Sequence, residues 1–477
     1  MENYDIIVAG AGVAGAVAAA AAAKGGARVL LIDRNDPETI GKKTNWGWVC
    51  GDAVAETHID FVSKHLGVSF SEPELNLKVD GVYALSPDMK TKIMFEGAGY
   101  SLDRPRFAKK LLGIAIKNGA ETLYMHEVEG PIIEDNAVVG VYGKDAEKKD
   151  FKVKAKIVID ALGIASTLRR KLPKNPYVEQ QISTRDIELT GRYILKFEPE
   201  GSDDKFYDPK NAIIHLNQDL APGGYGWVFP KKGKIVNIGV GVESEALSLR
   251  NRRLGRNDTL HSLIDAYVAW NPIIKNTELY NEYNNGKGYW SVAVRRQLDS
   301  LVFTGYMGAG DSMAMPNPIS AGGIGPALTA GILAGEVAAS AAADNDASIE
   351  RLWQYNVLYN EVYGSKTAGL EAFRIYLQSL SNDLINYGMA NFLTKDEAVQ
   401  ISYGMTPELT LAGALTKAIK GLANINAFKN LLYTVKKMKR LNELYKNYPK
   451  NITDFHKWKE LVAAEIEDAN SRFKRYG

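Results

Sequence analysis

The chain of 477 residues contains a single cysteine, Cys50, followed two residues later by the carboxylate of Asp52. A thiol with the ordinary pKa of about 8.5 is protonated at neutral pH and can donate a proton to a substrate. The alternative is that Cys50 is only a small buried hydrophobic side chain. We predict that Cys50 and Asp52 are catalytic residues, with Asp52 orienting a water molecule or contacting a cofactor.

Aromatic residues occur in two alternating groups that could line a substrate site. Tyr225, Trp227 and Phe229 alternate with a glycine and a valine, so on a strand all three would project from one face. Trp46 and Trp48, just before the cysteine, have the same spacing. These residues predict the wall of an apolar tunnel, although the buried face of an ordinary sheet is an equally good interpretation.

The N-terminus carries a nucleotide-binding pattern. An apolar run over residues 4–9 leads into Gly10, Gly12, Gly15 and an alanine-rich segment, and a second apolar run ends at Asp33. The glycines allow a tight turn, a close approach to a pyrophosphate and close helix packing, while the acid accepts a ribose hydroxyl. This order predicts a Rossmann-like dinucleotide site, but the motif alone does not separate FAD from NAD.

A second glycine-rich segment follows a strand-like run at residues 300–305 and precedes an alanine- and glycine-rich helix. Its residues suited to an anion or a nucleotide are Gly310, Asp311, Gly322, Gly323 and Ile324. Glycines at the start of a helix leave backbone N–H groups accessible to a phosphate. A generic loop with a helix cap is the alternative interpretation.

These segments resemble the FAD flavoprotein superfamily that includes para-hydroxybenzoate hydroxylase, and more closely its geranylgeranyl reductases, particularly the archaeal ones. The segment Leu102–Phe107 is similar to the superfamily's arginine motif, and Val128 matches a position whose backbone meets the adenine. The resemblance implies FAD contacts at Gly10, Gly12, Gly15, Asp33, Cys50, Gly51, Ala53, Arg104, Val128, Gly310, Asp311, Gly322, Gly323 and Ile324.

The resemblance also implies an activity. Leu162 stands where many monooxygenases of the superfamily carry aspartate, whereas the Cys50–Asp52 loop and the Tyr225–Pro230 segment are similar to the reductases. We therefore expect an FAD-dependent reductase that saturates isolated C=C bonds of geranylgeranyl or polyprenyl chains, free, as diphosphates or in archaeal ether lipids. A monooxygenase or halogenase of the same fold and a non-catalytic lipid-binding flavoprotein are the alternatives.

The expected partners are a polyprenyl lipid and an electron donor. No second glycine fingerprint for a pyridine nucleotide is visible in the sequence, so the donor could be a ferredoxin-like protein or transiently bound NAD(P)H. Arg295 and Arg296 could receive a pyrophosphate or a phospholipid head group. An ordinary structural ion-pair role for these two arginines is an equally good interpretation.

The net charge of +2 is unevenly distributed. Residues 411–477 contain 14 Lys/Arg against 6 Asp/Glu, which gives +8 here and −6 over the rest. In this region Leu431, Leu432, Val435, Met438 and Leu441 have helical spacing, with Lys436, Lys437, Lys439 and Arg440 between them. A solvated basic face is one interpretation, and contact with anionic lipid is the other. Nucleic acid is not expected, because no recognition motif accompanies the charge.

The remaining composition is that of an ordinary globular protein, with 45% hydrophobic and 24% charged residues. The single cysteine fits a reducing compartment, and neither a leader peptide nor an apolar run of membrane-spanning length is expected. The expected location is cytoplasmic, with peripheral contact on the inner face of the membrane. The six histidines lack metal-ligand spacing, so no metal site is predicted.

We predict an α/β multidomain fold. Residues 1–72, 98–172 and 293–350 form a Rossmann-like FAD domain that is interrupted by an antiparallel-sheet substrate domain at residues 73–97 and 173–292. Alternating strand patterns support the substrate domain. Residues 351–477 show helical periodicity and predict a C-terminal helical domain.

Overall fold

The computed structural model describes residues 3–39, 50–280, 286–392, 397 and 424–476. Its strands are β1 Asn3–Ala9, β2 Val29–Ile32, β3 Ala53–Ala55, β4 Leu77–Leu85, β5 Lys92–Ser101, β6 Glu121–Leu123, β7 His126–Glu134, β8 Ala137–Asp145, β9 Asp150–Asp160, β10 Ile187–Pro199, β11 Asn211–His215, β12 Gly226–Lys231, β13 Ile235–Glu243, β14 Ile274–Leu279, β15 Lys287–Ala293, β16 Val302–Phe303 and β17 Tyr306–Gly308.

Helices pack on both sheets and make up most of the C-terminal part. They are α1 Val13–Lys24, α2 Glu56–Leu66, α3 Arg104–Lys117, α4 Thr167–Arg170, α5 Ser244–Leu254, α6 Leu260–Trp270, α7 Ile324–Ala343, α8 Ile349–Tyr359, α9 Ser365–Thr367, α10 Leu370–Leu377, α11 Asn382–Asn391, α12 Ile425–Lys446 and α13 Phe455–Arg472.

The first sheet is the nucleotide-binding one. Within the described residues its strand order is β16-β17-β9-β1-β2-β6, with β7 and β8 attached through β9. The pairs around β1 are parallel, as expected for a Rossmann-like sheet, and β7, β8 and β9 form an antiparallel meander. Strands from three separate chain segments therefore build one sheet, as the glycine motifs indicated.

Helices α1 and α7 pack side by side on this sheet. A Cβ atom on Gly331 would lie 2.3 Å from the Ala14 carbonyl oxygen, and one on Gly335 would lie 2.4 Å from that of Ala18. Only glycine allows this separation between the two helices. Because residues 14 and 18 face 331 and 335 in order, the helices run in the same direction and their N-termini point to the same end of the sheet.

Helix α7 corrects the expectation that no apolar segment reaches membrane-spanning length. Ile324–Ala343 is long and apolar enough by length and composition, and it is the one such helix among the described residues. However, 89% of the apolar stretch of this helix is buried inside the protein. Packing against α1 and the sheet accounts for its apolar composition, as for a core helix of a globular protein.

The second sheet is mostly antiparallel and forms the predicted substrate domain. Its order in the described chain is β14-β10-β13-β12-β11-β4-β5-β3, and β15 pairs with β10. Two details differ from the predicted boundaries: β3 joins this sheet from the first FAD segment, and β5 continues past residue 97 to Ser101. Helix α6 covers one face of the sheet through Leu263, Ile264 and Tyr267.

Helix α12 has a different buried face from the one that the spacing predicted. Met438 and Leu441 are buried as expected, but Leu432 is 40% exposed. The buried side chains of α12 are Ala427, Thr434, Met438, Leu441, Leu444 and Tyr445. Packing against α10 and α13 selects this face, and Lys437 is paired with Glu465 and Asp468 of α13 at 2.5 and 2.6 Å.

Candidate active site

The glycines of the first motif sit at the junction of β1, α1 and β9. Gly10 has φ +99°, and a Cβ atom there would lie 2.4 Å from the Ala161 carbonyl oxygen. A Cβ atom on Gly15 would lie 1.7 Å from the Gly10 carbonyl oxygen. Gly12 is the N-cap residue of α1 and provides no side-chain cap. The first N–H groups of the helix are therefore available to an anion.

Asp33 lies at the end of β2, beside this glycine turn. Its Oδ2 atom accepts a hydrogen bond from the Ala11 backbone N–H at 2.7 Å, and its Oδ1 atom accepts one from the Asn35 N–H at 2.8 Å. Burial raises the pKa of the Asp33 carboxyl, and these hydrogen bonds oppose the rise. The carboxylate is thus fixed next to the glycines, where an acceptor for ribose hydroxyls is needed.

The second motif brings its residues to the same end of the first sheet. Gly310 has φ +74°, and a Cβ atom there would lie 3.0 Å from the Ala14 Cβ atom. Gly323 caps α7 without a side-chain hydrogen bond, and its Cβ position is 3.3 Å from Asp311 Oδ1. Burial raises the pKa of Asp311 to about 6, against the charge of Arg104. Ile324 begins α7 and is buried, whereas Gly322 is exposed in the preceding loop.

These residues fit FAD on structural grounds. Two parallel helices begin at glycine N-caps at one edge of the sheet, each with a carboxylate nearby, and a side chain at Gly10 or Gly15 would collide with the backbone of the first glycine turn or of β9's end. Such a donor set suits a pyrophosphate with ribose-type hydroxyls on either side. Val128 lies in β7, at the edge of the meander, and its carbonyl accepts a hydrogen bond from Thr167 Oγ1 at 2.8 Å.

Asp52 forms the centre of a buried charged cluster. Lys231 Nζ lies 3.1 Å from Asp52 Oδ2, and Arg104 Nε lies 3.7 Å from Asp52 Oδ1. Asn237 Nδ2 donates to Asp52 Oδ2 at 3.1 Å and to the Cys50 carbonyl at 2.7 Å. The Asp52 side chain is fully buried. The oxygens of Asp52 face cations and an amide that hold the loop in place, and its predicted role in orienting water or contacting the cofactor stays a prediction.

Cys50 is half-buried on this loop and directly precedes Gly51, which packs on Phe229. Its Sγ atom accepts a hydrogen bond from the Asp52 backbone N–H at 3.2 Å. Burial raises the pKa of the thiol, and the negative charge of Asp52 adds to the rise. The thiol therefore stays protonated at neutral pH, as the catalytic hypothesis requires. Ala53 follows as the first residue of β3, paired with Ser101 of β5.

The aromatic side chains form a continuous row beside the loop. The ring centroids of Tyr225 and Trp227 are 6.1 Å apart, and those of Trp227 and Phe229 are 6.4 Å apart. Trp227 Nε1 donates to Asn237 Oδ1 at 2.9 Å. The neighbouring residue Val228 points to the opposite face, toward α6. The row therefore does not belong to the α6 core, and Trp46 and Trp48 lie outside the described residues.

The structure places Arg295 and Arg296 away from a head-group role. Arg295 Nη1 lies 2.9 Å from Glu179, while Arg296 lies 2.7 Å from Glu371 and 3.0 Å from Asp299. Both arginines are buried. Their donors bind carboxylates of the same chain, so the ion-pair interpretation replaces the predicted substrate contact.

Lys231 was missed as a site residue, although a signal was present. It continues the alternation of residues 225, 227 and 229, so its parity places it on the same face of β12. Within the described ranges, no group of three or more His, Cys, Asp or Glu side chains could hold a metal ion.

Comparison with known proteins decides the family. A model described as geranylgeranyl reductase catalytic domain matches residues 186–274, and one described as FAD dependent oxidoreductase matches residues 5–170. A protein of Sulfolobus acidocaldarius named digeranylgeranylglycerophospholipid reductase is 31% identical over 472 residues, covering 98% of both chains. The chain belongs to the geranylgeranyl reductase family. It is an FAD-dependent oxidoreductase.

Other relatives of this reductase agree. A protein of Methanococcoides burtonii named digeranylgeranylglycerophospholipid reductase 2 is 27% identical, covering 95% of this chain and 98% of its own. A solved structure from Thermoplasma acidophilum, described as geranylgeranyl bacteriochlorophyll reductase-like, has a TM-score of 0.71 at 24% identity and covers 91% of this chain and 100% of its own. A flavin-dependent brominase shares the fold alone, with a TM-score of 0.61, 18% identity and coverage of 89% and 100%.

Proposed function

We propose that this reductase saturates the isolated C=C bonds of geranylgeranyl chains carried by an archaeal ether phospholipid. The observation that carries the proposal is the Cys50 thiol, whose pKa is raised by burial and whose neighbour Gly51 packs on Phe229 of the aromatic row. The names of the two curated relatives support a glycerophospholipid as the carrier.

An isolated alkene has no carbonyl group to accept charge, so its reduction needs a hydride and a proton in close succession. When bound, FAD in its reduced form supplies the hydride. The Cys50 thiol donates the proton to the neighbouring carbon: the S–H bond breaks, a C–H bond forms and a thiolate remains. The Asp52 N–H points at that sulfur and stabilises the thiolate.

The surrounding side chains orient the substrate and exclude water. Tyr225, Trp227 and Phe229 offer a row of flat apolar surfaces along which an unsaturated chain can lie. Alignment of this kind can lower a barrier by about 7–11 kcal/mol. The cluster of Asp52, Lys231 and Arg104 fixes the loop that carries the thiol, so the donor atom keeps its position.

The test is anaerobic reduction of a geranylgeranyl ether phospholipid by the dithionite-reduced protein, followed by flavin absorbance and product mass. We expect reoxidation of the flavin with a gain of two hydrogens per bond. Cys50→Ser should bind FAD normally and reduce the lipid about 10²-fold more slowly. Normal turnover by this variant would contradict the role of Cys50. A flavin that stays reduced until oxygen enters would favour the monooxygenase alternative.

We propose separately that a ferredoxin-like protein or NAD(P)H delivers electrons to the bound flavin. Anaerobic reduction of the flavin with each donor in turn distinguishes the two. Flavin bleaching with NADPH or NADH alone would favour the nucleotide. Bleaching only with reduced ferredoxin would favour the protein donor.

We also infer peripheral contact with the cytoplasmic face of the membrane through α12. An exposed stripe, here called the basic stripe, consists of Ile425, Lys429, Leu432, Lys436 and Lys439. These positions fall on one side of a helix with 3.6 residues per turn, and they combine two large apolar side chains with three cations. That combination favours the surface of an anionic bilayer.

Vesicle sedimentation tests the basic stripe. Replacing Lys429, Lys436 and Lys439 by Gln should weaken binding to phosphatidylglycerol vesicles about a hundredfold, since each lysine contributes about 1 kcal/mol near an anionic surface. The matched control replaces three exposed lysines elsewhere, Lys64, Lys148 and Lys174. Equal binding by both triple variants would contradict the assignment.

A further inference from the structure

Two side chains of the aromatic row each direct a polar atom toward a loop of the site. The Trp227 indole N–H donates to Asn237, which in turn donates to the backbone of the Cys50 loop, defined here as residues 50–52. The Tyr225 hydroxyl donates to the flavin loop, defined here as residues 316–323. One row therefore has hydrogen-bonded connections to both loops.

Asn237 joins Trp227 to the Cys50 loop in a fixed orientation. An indole N–H can only donate, so the Asn237 atom 2.9 Å from it is the amide oxygen. The amide nitrogen therefore faces the Cys50 carbonyl at 2.7 Å and the Asp52 carboxylate at 3.1 Å, which both accept. Asn237 is fully buried, so losing one of these partners leaves a polar atom away from water. The N–H of Trp227 thus selects the orientation that holds the loop.

Phe229 supports the same loop by direct contact. A Cβ atom on Gly51 would lie 2.6 Å from Phe229 Cε2, so the ring lies against the backbone of Gly51. Residue 51 lies between the thiol residue and Asp52 in the sequence. The Cys50 loop is therefore held from the row by one ring contact and by one amide.

Tyr225 connects the row to the flavin loop. Its hydroxyl donates to the carbonyl of Ser320, which is 95 residues further along the chain. The flavin loop ends at Gly323, the N-cap of α7, and Gly322 and Gly323 are predicted FAD contacts. The hydrogen bond therefore ties the predicted substrate domain to the predicted FAD domain.

Internal hydrogen bonds make the flavin loop a closed turn. The Asn317 side-chain oxygen accepts hydrogen bonds from the N–H groups of Ile319 and Ser320 at 2.9 and 3.1 Å. The Asn317 N–H donates to the Gly322 carbonyl at 3.1 Å, which closes the turn. A displacement of Ser320 therefore also displaces Gly322, next to the start of α7.

We propose that Trp227 and Tyr225 are positioning residues that fix the proton donor and the FAD site against one aromatic surface. The inference deepens the proposed function and rests on it. A double bond on the row needs the Cys50 proton and the reduced flavin at the same place, yet the residues that present them lie on separate loops. The row holds both loops, so the surface that carries the lipid also sets their separation. Neither residue gives or takes a proton in this role.

Trp227→Phe tests the connection to the thiol. It keeps an aromatic ring but removes the N–H that orients Asn237, so the amide can rotate and the Cys50 loop loosens. Because Cys50 is the one cysteine in the sequence, iodoacetamide alkylation of the FAD-loaded enzyme reports this thiol alone. We expect alkylation about fivefold faster, the effect of about one hydrogen bond. Hydrogen exchange of residues 317–322 should stay that of the wild type.

Tyr225→Phe tests the connection to the flavin loop. It removes only the hydroxyl, so the Ser320 carbonyl loses its donor while the ring of the row remains. Hydrogen–deuterium exchange of residues 317–322, followed by mass spectrometry in the FAD-loaded enzyme, should be about fivefold faster. Alkylation of Cys50 should keep the wild-type rate, which is the reverse of the pattern for Trp227→Phe.

Two matched controls remove the same chemical groups elsewhere. Trp458→Phe removes an indole N–H that donates to the Leu444 carbonyl at 2.8 Å. Tyr193→Phe removes a hydroxyl that donates to Asp265 of α6 at 2.7 Å, on the opposite side of the second sheet. Both controls should lower the free energy of unfolding, but neither should change the alkylation of Cys50 or the exchange of residues 317–322.

Turnover of the geranylgeranyl ether phospholipid gives the functional readout. In Trp227→Phe and in Tyr225→Phe, kcat should fall about tenfold because the alignment of donor and flavin is lost. The KM for the lipid should change less than kcat, since a flat apolar ring remains at both positions. An unchanged kcat in variants whose loops have loosened would overturn the positioning role.

The pattern across the two loops decides the inference. If each variant affected both loops equally, or neither loop more than the controls do, the effects would be a general loss of stability and the inference would be overturned. Asn237→Ala removes the connecting amide itself and should also speed alkylation, which keeps the thiol arm testable if Trp227→Phe does not fold. A wild type that does not reduce the lipid would refute the proposed function, whereas alkylation and hydrogen exchange, measured without lipid, would still test both connections.

Discussion

The two faces of the second sheet differ although they come from the same strands. Toward α6, the face carries Ile238, Val240 and Val228, all fully buried among Ile264 and Tyr267. Toward the nucleotide-binding edge, the alternate positions carry side chains that are polar, charged or aromatic: Asn237, Trp227, Phe229, Lys231, Arg192 and Glu188. The first face, here the core face, is held by apolar burial, and the second, here the site face, by hydrogen bonds and ion pairs.

Burial has a different energetic consequence on each face of the second sheet. On the core face, exclusion of water is itself the stabilising contribution, at about 25 cal/mol per Å². On the site face, each buried charge costs free energy unless a partner compensates it. The charge of Asp52 is compensated by Lys231 and Arg104, and Asn237 donates a hydrogen bond to it. Charged groups can therefore be buried away from water next to the thiol.

Asp52→Ala should have the largest effect on stability. It would remove the carboxylate that compensates Lys231 and Arg104 on the site face, and breaking a buried pair costs about 3–5 kcal/mol. Urea unfolding followed by circular dichroism measures the loss. Asp80→Ala, at an exposed position of β4, is the control and should change the free energy of unfolding very little. A loss below about 1 kcal/mol in Asp52→Ala would show that the cluster is not stabilising.

Ile238→Ala tests the core face. Truncation of a fully buried isoleucine leaves a cavity and should lower the free energy of unfolding by about 3 kcal/mol. FAD binding and the rate per folded molecule should not change, because Ile238 points away from the site. Leu189→Ala, at an exposed position of β10, is the control. A reduced rate with FAD fully bound would mean that the two faces are not independent.

The pH dependence of stability should have opposite signs on the two faces. On the core face, burial lowers the pKa of His215 to about 4 from 6.5, so its contribution is lost as the pH falls from 6.5 to 4. On the site face, Glu188 has its pKa raised to about 7 from 4.5, so its contribution is lost as the pH rises from 4.5 to 7. Each contribution is at most about 3 kcal/mol.

Urea unfolding at several pH values measures both contributions. As the pH rises from 4 to 6.5, His215→Gln should gain less stability than the wild type, whereas Glu188→Gln should lose less stability between pH 4.5 and 7. If both variants changed the slope of stability against pH in the same direction, the assignment of opposite signs would be wrong.

Gly239→Ala should have the smallest of these effects. A Cβ atom there would lie 2.3 Å from Trp227 Cζ2 and 2.4 Å from the Gly191 carbonyl oxygen, so the indole must move. Overpacking of this kind costs about 1–3 kcal/mol. Tryptophan fluorescence and lipid affinity should change together, whereas Gly388→Ala, where nothing lies within 4 Å, should change neither.

The parts of the fold that were predictable are those encoded by local patterns. The strand, glycine turn, helix and acid from Tyr4 to Asp33 follow one another within a single βαβ unit, so spacing alone places them. The family resemblance singled out the Cys50 loop and the aromatic strand as marks of the reductases. The alternating positions of Tyr225, Trp227 and Phe229 also predicted that they share one face, since side chains alternate along any strand.

The features that the sequence left open depended on distant partners. Arg295 and Arg296 bind Glu179, Glu371 and Asp299, and two of these three carboxylates lie far away in sequence. The local sequence around Asp52 did not show that strands β12 and β13 bring Lys231 and Asn237 onto its carboxylate. The spacing in α12 did not reveal that Leu432 would be exposed, because the neighbouring helices choose the buried face.

The sequence by itself determined the nucleotide fold, the family and the position of the thiol, because turn chemistry, periodicity and motif order act over a few residues. Only the tertiary structure decided which charged groups meet. Glu188 is paired with Glu243 by strand register and with Gln378 by the packing of α10, 190 residues further along the chain. Such long-range register follows from the packing of whole sheets and helices, so no short segment encodes it.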